Sequence, residues 1–294
     1  MTPVAARRAP VRGMLAGLIG AGIGRSLTPA MQEEEAGHHG IRLHYQLIDV
    51  HDPAASNPLL PTLLAAARAM GFSGLNITYP FKQQVIPLLD ALSDEARAMG
   101  AVNTVVVQDG RLVGHNTDGS GWAWGFRRAL PQADLSRVVL LGAGGAGSAI
   151  AHAVLRLGAG QLVVVDPDLA RAADLCRALD ALYGARCIAT HDVAEAMAGA
   201  SGLIHATPTG MAKLPGMPLP ATLLRPSLWV AEIVYFPLET ELLRTARALG
   251  CRTVDGGGMA VGQAIGAFAL FTGLEADAQR MEAHFRRLVI ERSQ

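Results

Sequence analysis

Cysteine, aromatic residues and surplus charge are all scarce in this chain. Its three cysteines, Cys176, Cys187 and Cys251, are scattered, with no C-x-x-C and no disulfide or zinc spacing. That argues against a disulfide scaffold and a cysteine metal centre, so no metal is expected, and it fits a reducing, cytoplasmic setting. Lysine plus arginine (25) balances aspartate plus glutamate (25), for a net charge of +0. Without a basic surplus, nucleic acid is not an expected partner. Aromatics are only 5% of the residues while half are hydrophobic, so the core must be built from Ala, Val, Leu and Ile, as suits an α/β protein. No segment reaches the ~18 unbroken apolar residues that span a bilayer, so no membrane is expected either. The one run that needs checking, Met14 to Gly24, follows Arg7, Arg8 and Arg12 but is broken by four glycines and lacks an A-x-A site. It reads as a first strand, Met14 to Ile19, entering a Gly-rich turn after a disordered lead of about 12 residues, and not as a signal.

What the chain does have is a stretch of unmistakable order, Arg137 to Arg171. The apolar run Val138 to Leu141 reads as a buried parallel strand. Gly142-Ala143-Gly144-Gly145-Ala146-Gly147 follows as a G-x-G-x-x-G turn, then the Ala-rich helix Ser148 to Leu157, then a second apolar run, Leu162 to Val165, ending in Asp166. This is the order of a dinucleotide-binding βαβ unit. Gly142 allows the tight turn, Gly144 lets backbone approach a pyrophosphate, and Gly147 lets the helix pack on the strand. The helix N-terminus offers free N–H groups and a partial positive charge to phosphates.

The length, 294 residues, is about two domains' worth. Before the Gly-rich turn, the pattern predicts a helix around Ala30 to His38, a strand Leu43 to Val50, and a helix Leu63 to Met70 begun by Pro61. The bland role for Ser26 and Thr28, beside Pro29, is N-capping of the first helix. Gly74 to Lys82 reads as a strand ending in a loop, followed by a helix Gln83 to Leu89. Lys82 would then sit at a helix start, where the dipole disfavours a cation, so a chemical role is more natural than a structural one. A short helix Asp94 to Met99, a strand Ala101 to Gln108, a turn at Asp109-Gly110, a return strand Arg111 to Gly114 and a helix Ser120 to Leu130 follow. Later strands are expected at Gly202 to Ala206, Trp229 to Val234 and Arg252 to Val254, with helices near Asp192 to Met197 and Leu238 to Leu249, as a doubly wound sheet requires. Two final helices, Met259 to Thr272 and Ala276 to Ile290, lack strands of their own. The expected division is a substrate and catalytic domain over 1–117, a Rossmann-type cofactor domain over 118–254, and helices over 255–294 that pack back on the first domain.

Together the motifs resemble one family, the shikimate dehydrogenases, over essentially the full length. The matching stretches are Ser26-Leu27-Thr28-Pro29, Gly74 to Lys82, Gly100-Ala101-Val102-Asn103-Thr104, Asn116-Thr117-Asp118-Gly119, Gly142 to Gly147, Ala206-Thr207-Pro208-Thr209-Gly210-Met211, Val234-Tyr235-Phe236-Pro237 and Met259-Ala260-Val261-Gly262-Gln263. The resemblance looks closest to the NAD-dependent quinate/shikimate dehydrogenase branch. It implies Lys82 and Asp118 as the catalytic pair, and Ser26, Thr28, Thr78, Asn103, Tyr235 and Gln263 as contacts to the substrate carboxylate and ring hydroxyls. It implies a nicotinamide cofactor held by Gly142, Ala143, Gly144, Gly145, Ala146, Gly147, Asp166, Arg171, Thr207, Met211, Ile233 and Gly256. The chemistry agrees: oxidising a secondary alcohol needs a hydride acceptor and a base, and its reversal needs an acid.

The expected substrates are quinate and shikimate. Thr28 supports quinate, because members restricted to shikimate usually place serine there. NAD is expected over NADP: family members that use NADP usually end the second strand in Asn-Arg-Thr, whereas here it ends in Asp166-Pro167-Asp168, and a carboxylate accepts ribose hydroxyls and repels a 2′-phosphate. Arg171 remains as partial compensation. The alternatives are a biosynthetic shikimate dehydrogenase with little quinate activity, a member specialised for an amino analogue, and a catalytically silent cofactor-binding regulator, against which the presence of both Lys82 and Asp118 argues. Two departures stand out. Glu232 replaces a frequent Asp, with only a loop contact expected to change, and Gly262 replaces a bulkier residue, which is expected to widen the pocket rim. The oligomeric state stays open, a homodimer included.

Overall fold

The computed structural model describes residues 12–50 and 56–293. It holds two α/β domains, each built on a six-stranded sheet. The first carries β1 (Arg12–Gly20), α1 (Thr28–His38), β2 (Ile41–Asp49), α2 (Ser56–Ala69), β3 (Phe72–Ile77), β4 (Ala91–Leu92), α3 (Asp94–Met99), β5 (Thr104–Gln108) and β6 (Arg111–His115). The second carries α4 (Asp118–Ala129), β7 (Arg137–Leu141), α5 (Gly145–Arg156), β8 (Gln161–Val165), α6 (Leu169–Tyr183), β9 (Cys187–Thr190), α7 (Val193–Met197), β10 (Gly202–His205), β11 (Trp229–Glu232), α8 (Glu241–Ala248) and β12 (Arg252–Val254). Helices α9 (Gly257–Thr272) and α10 (Ala278–Ser293) end the chain.

The second sheet is wholly parallel, in the order β12-β11-β10-β7-β8-β9. The order reverses between β7 and β10, the topological switch point where such sheets open a binding crevice. Both faces are covered, and the sequence shows why its strands are unbroken apolar runs. Val138, Leu140, Leu162 and Val164 enter the core under α4, α5 and α6, while Val139, Leu141, Val163 and Val165 enter the opposite core under α7 and α8. The first sheet is mixed, ordered β2-β1-β3-β5-β6-β4. Its β1 alternates in the same way, Ile19 facing one core and Met14, Ala16 and Leu18 the other, where Ala267, Phe268 and Phe271 of α9 complete it. The C-terminal helices therefore contact the first domain.

Several expected elements moved. The helix expected over Gln83 to Leu89 is instead a run of turns with one 3-10 turn, Ile86–Leu88. Pro87 explains this: it has no N–H for an i to i−4 bond and disfavours helical backbone at Ile86. α2 begins at Ser56, so Pro61 lies inside it and Pro58 occupies the first turn, where proline is tolerated. β5 starts at Thr104, and β4 and β9 were not expected at all. The expected lead lies outside the described residues, except Arg12, which opens β1. Among the described residues, no helix is long and apolar enough to cross a membrane, and no cluster of three or more His, Cys, Asp or Glu side chains is placed to hold a metal.

Candidate active site

Lys82 and Asp118 come together from different segments, with Lys82 Nζ 2.5 Å from Asp118 Oδ2. Lys82 lies in the turns after β3 and not at a helix start, so the dipole argument for its placement has no helix to act through. Asp118 is the first residue of α4, where the N-terminal partial charge favours a carboxylate. It is 4% exposed, and its partners are fixed. Asn116 Oδ1 accepts its backbone N–H at 3.0 Å, and Asn103 Nδ2 donates to its Oδ1 at 2.9 Å. Asn103 spends the rest of its amide on Thr117 and Thr104. Asn103 therefore bears directly on the carboxylate that faces the lysine.

Ser26 and Thr28 do not occupy the cap position of α1, although Ser26 Oγ accepts the backbone N–H of Thr28 at 3.3 Å. The cap position is Leu27, with no side-chain bond, and the two hydroxyls bond each other at 3.1 Å. Arg25 lies over the Phe236 ring at 4.8 Å, so the loop carrying Ser26 reaches across the cleft to the loop carrying Tyr235. Burial raises the Tyr235 phenol above its ordinary pKa, with Arg292 opposing and Asp118 adding to the rise. Thr78 packs against Gly20 at the end of β1. Gln263 sits on α9, its backbone N–H against Gly121 of α4.

The Gly-rich turn is built as its spacing requires. Gly142 has φ +102°, and a Cβ there would meet Ala206 O at 2.7 Å. A Cβ at Gly147 would stand 2.0 Å from Gly142 O, so only glycine lets α5 pack this close. Over Gly144 and Gly145 nothing lies within 4 Å, which leaves the N-terminus of α5 open. Asp166, at the end of β8, is 4% exposed and nearly saturated. Its Oδ2 accepts from Ala143 N at 2.8 Å; its Oδ1 accepts from Asp168 N at 2.9 Å and from Arg171 at 2.7 Å. Burial alone would raise its pKa, but those donors hold the carboxyl below the ordinary aspartate range. Among the described residues, Ala143 N is the one donor to Oδ2. The turn and the Lys82–Asp118 pair are joined through helix packing, because a Cβ at Gly119 would meet Ala149 O of α5 at 2.8 Å.

Comparison with known proteins decides the family. A model described as "Shikimate dehydrogenase substrate binding domain" matches residues 18–105, and one described as "ThiF family" matches 127–183. The shikimate dehydrogenase (NADP(+)) of Streptomyces avermitilis is 58% identical over 93% of this chain and 95% of its own. The chain belongs to the shikimate dehydrogenase family. The quinate/shikimate dehydrogenase (NAD(+)) of Corynebacterium efficiens is 49% identical over 94% of this chain and 98% of its own. The solved quinate dehydrogenase of Corynebacterium glutamicum in complex with NAD matches at TM-score 0.88 and 45% identity, covering 94% of this chain and 99% of that one.

Within this family the two departures have different meanings from those expected. Gly262 is not a pocket-rim residue: a Cβ there would meet Gly121 O at 2.5 Å, so it is the contact point of α9 with α4. Glu232 does contact the loop after β11, through Ile233 N and Val234 N, but it does more than that. It is 1% exposed and pairs with His205, itself 0% exposed, and it also accepts from Thr240 and two backbone N–H groups. His205 carries no motif that marks it. Only its register partner Glu232, on the neighbouring parallel strand, reveals it.

Proposed function

We propose that the protein interconverts shikimate and 3-dehydroshikimate with a nicotinamide cofactor. The observation that carries this is the Lys82–Asp118 pair, 2.5 Å apart, set beside an open Gly-rich turn at the switch point of the parallel sheet. The bound nicotinamide supplies the hydride acceptor or donor. Lys82 Nζ exchanges the proton of the ring hydroxyl, and Asp118 holds the ammonium and accepts from the same hydroxyl. Ser26 and Thr28, with their hydroxyls already paired, bind the carboxylate, while Thr78, Tyr235 and Gln263 meet the ring hydroxyls. Asn103 keeps Asp118 in place. Gly142 to Gly147 and the N-terminus of α5 take the pyrophosphate, Asp166 and Arg171 the adenosine ribose, and Thr207, Met211, Ile233 and Gly256 line the nicotinamide end.

Shikimate is favoured over quinate because the 58% relative bears the shikimate name, whereas the relative named for both substrates stands at 49%. This is narrower than the sequence expectation of both substrates. The cofactor has a specific second reading. The 58% relative is named for NADP, yet Asp166 Oδ2 can accept a further bond from a ribose hydroxyl, and its buried negative charge opposes a phosphate. Arg171 is already bonded to that carboxylate through one guanidinium nitrogen, which draws it towards Asp166. NAD is therefore the proposed cofactor. Steady-state rates with shikimate and quinate, each with NAD and NADP, test both readings. Shikimate with NAD should give the highest kcat/KM; a higher value with NADP sinks the cofactor reading, and a higher value with quinate sinks the substrate reading. No turnover with any pair would leave the regulator alternative.

A further inference from the structure

The buried pair His205–Glu232 has no part in the chemistry so far, yet it ends at the cofactor crevice. The two residues close β10 and β11, in register on adjacent parallel strands, so both side chains point to the same face. Glu232 is an acceptor only, and its burial is tolerable because four donor groups converge on it. Ile233 N and Val234 N reach Oε1 at 2.9 and 3.0 Å, Thr240 Oγ1 reaches Oε2 at 3.0 Å, and His205 Nδ1 lies 2.9 and 3.0 Å from the two oxygens. The carboxylate thus fixes the ring with its proton on Nδ1. The opposite nitrogen, Nε2, stands 2.5 Å from Thr207 Oγ1. In the neutral ring Nε2 can only accept, so the Thr207 hydroxyl donates to it and has no second proton to give. Thr209 N also points at Thr207 Oγ1, at 3.4 Å, as it would at an acceptor.

Thr207 stands where this matters. It leaves the end of β10 at the switch point, and its methyl group lies 3.1 Å from where a Cβ of Gly142 would be, against the Gly-rich turn. We propose that His205, anchored by Glu232, is a positioning residue that makes Thr207 Oγ1 a fixed acceptor for a hydroxyl or amide N–H of the bound dinucleotide. The inference rests on the reading that a dinucleotide occupies the Gly142–Gly147 turn. An acid–imidazole–hydroxyl chain here serves recognition: no bond breaks and no proton leaves the chain. What it contributes is the removal of rotational freedom from one hydroxyl, at the cost of a buried charge that must stay paired.

The test is dinucleotide binding to the purified full-length chain, followed by quenching or enhancement of NADH and NADPH fluorescence. The wild type sets the reference. If it binds neither, the dinucleotide reading itself fails, which is distinct from failure of the inference. His205→Asn keeps an amide N–H near the Nδ1 position, facing Glu232, and removes the contact to Thr207. Thr207→Val removes the hydroxyl at nearly constant shape. Each should weaken dinucleotide binding about five- to tenfold, and His205→Asn should raise KM for the cofactor by a similar factor while leaving KM for shikimate within about twofold of wild type. The double variant should bind no more weakly than Thr207→Val alone, because both changes cut the same contact. Binding by His205→Asn within twofold of wild type, or a double variant whose loss is the product of the two, overturns the proposal. If His205→Asn does not fold, Thr207→Val decides alone: it lies outside the core, and unchanged binding there also overturns it.

Discussion

A lysine and an aspartate 2.5 Å apart can be a plain ion pair, and at the scale of residues the distinction is made by their neighbours. Asp118 is oriented by Asn103 and by its place at the start of α4, and its second oxygen meets Lys82. A structural bridge does not need a third residue aiming the carboxylate. Two substitutions follow. Lys82→Ala removes the proposed proton-exchanging group and should lower kcat by about 10²–10⁴-fold, while affinity for a cofactor at the Gly-rich turn should change little. Asp118→Asn keeps an oxygen for Asn103 but turns the atom facing Lys82 into a donor, so it should also lose activity with the fold intact. Equal kcat in Lys82→Ala and wild type would remove the assignment. These residues were legible in the sequence because each lies inside a local motif of distinctive residue types. His205 and Glu232 were not legible as a pair, since nothing local links positions on two strands until register places them side by side.

At the scale of elements, α4 is the part that brings the two domains to one site. On one side it is held by aromatic packing: Trp122 stacks on Phe126 at 4.8 Å, and Phe126 meets Trp229 of β11 edge-on at 4.8 Å. Such pairs add about 0.5–1.5 kcal/mol each beyond burial. On the other side it crosses α9 at four glycines. A Cβ at Gly121 would stand 2.3 Å from Gln263 N, and one at Gly125 would stand 2.7 Å from Gly258 C, with Gly262 and Gly258 returning the contact. Backbone meets backbone here, so no side chain can move aside. Gly121→Ala or Gly262→Ala must push the helices apart, at a cost of about 1–3 kcal/mol or more. Because Asp118 lies one turn from Gly121 and Gln263 adjoins Gly262, activity should fall along with thermal stability. A variant with unchanged melting temperature and kcat would show that the crossing is loose. The two G-x-x-x-G spacings were visible in the sequence, but glycines inside a helix look like weak points until a second helix is known to need the space. The second sheet was legible for the opposite reason: strands covered on both faces write themselves as apolar runs. β9, a short half-buried edge strand, does not, and neither does the two-residue β4. No α-helix follows Lys82, because Pro87 lacks the N–H a helix needs and disfavours helical backbone at Ile86.

At the scale of the whole molecule, α10 closes the structure by fastening the first domain's α1 at both ends. Near the chain's end, Arg292 donates to the carbonyl of Arg25, the residue before Ser26. The C-terminal end of α10 is thereby tied to the loop that leads into α1, the loop proposed to hold the substrate carboxylate. At the other end, Glu35 of α1 is 1% exposed and accepts from Arg280 at 2.7 Å on each oxygen, with a further 2.8 Å bond from Asp277 N. Burial alone would raise the pKa of Glu35, but the bonds from Arg280, Asp277 N and His39 outweigh it and hold the carboxyl below its ordinary value. The sign of the linkage follows. A depressed carboxylate stabilises the fold above the unfolded-state pKa, about 4.3, and that contribution is lost as pH falls through the folded-state value. Arg280→Met removes the strongest of those partners and leaves burial opposed only by the bonds from Asp277 N and His39, so the folded-state pKa of Glu35 is expected to rise past the unfolded one. Stability should then fall by about 2 kcal/mol at pH 7, below the cost of breaking a fully buried pair because Arg280 is itself 31% exposed. It should also recover as pH falls from 7 towards 5, over a range in which the Glu35 contribution in the wild type is still fully present. Denaturant melts of both proteins at pH 7, 6 and 5 measure this. Parallel pH dependence in the two proteins would show that Glu35 does not feel Arg280, whereas opposite slopes would place the clasp between α1 and α10 on that single pair.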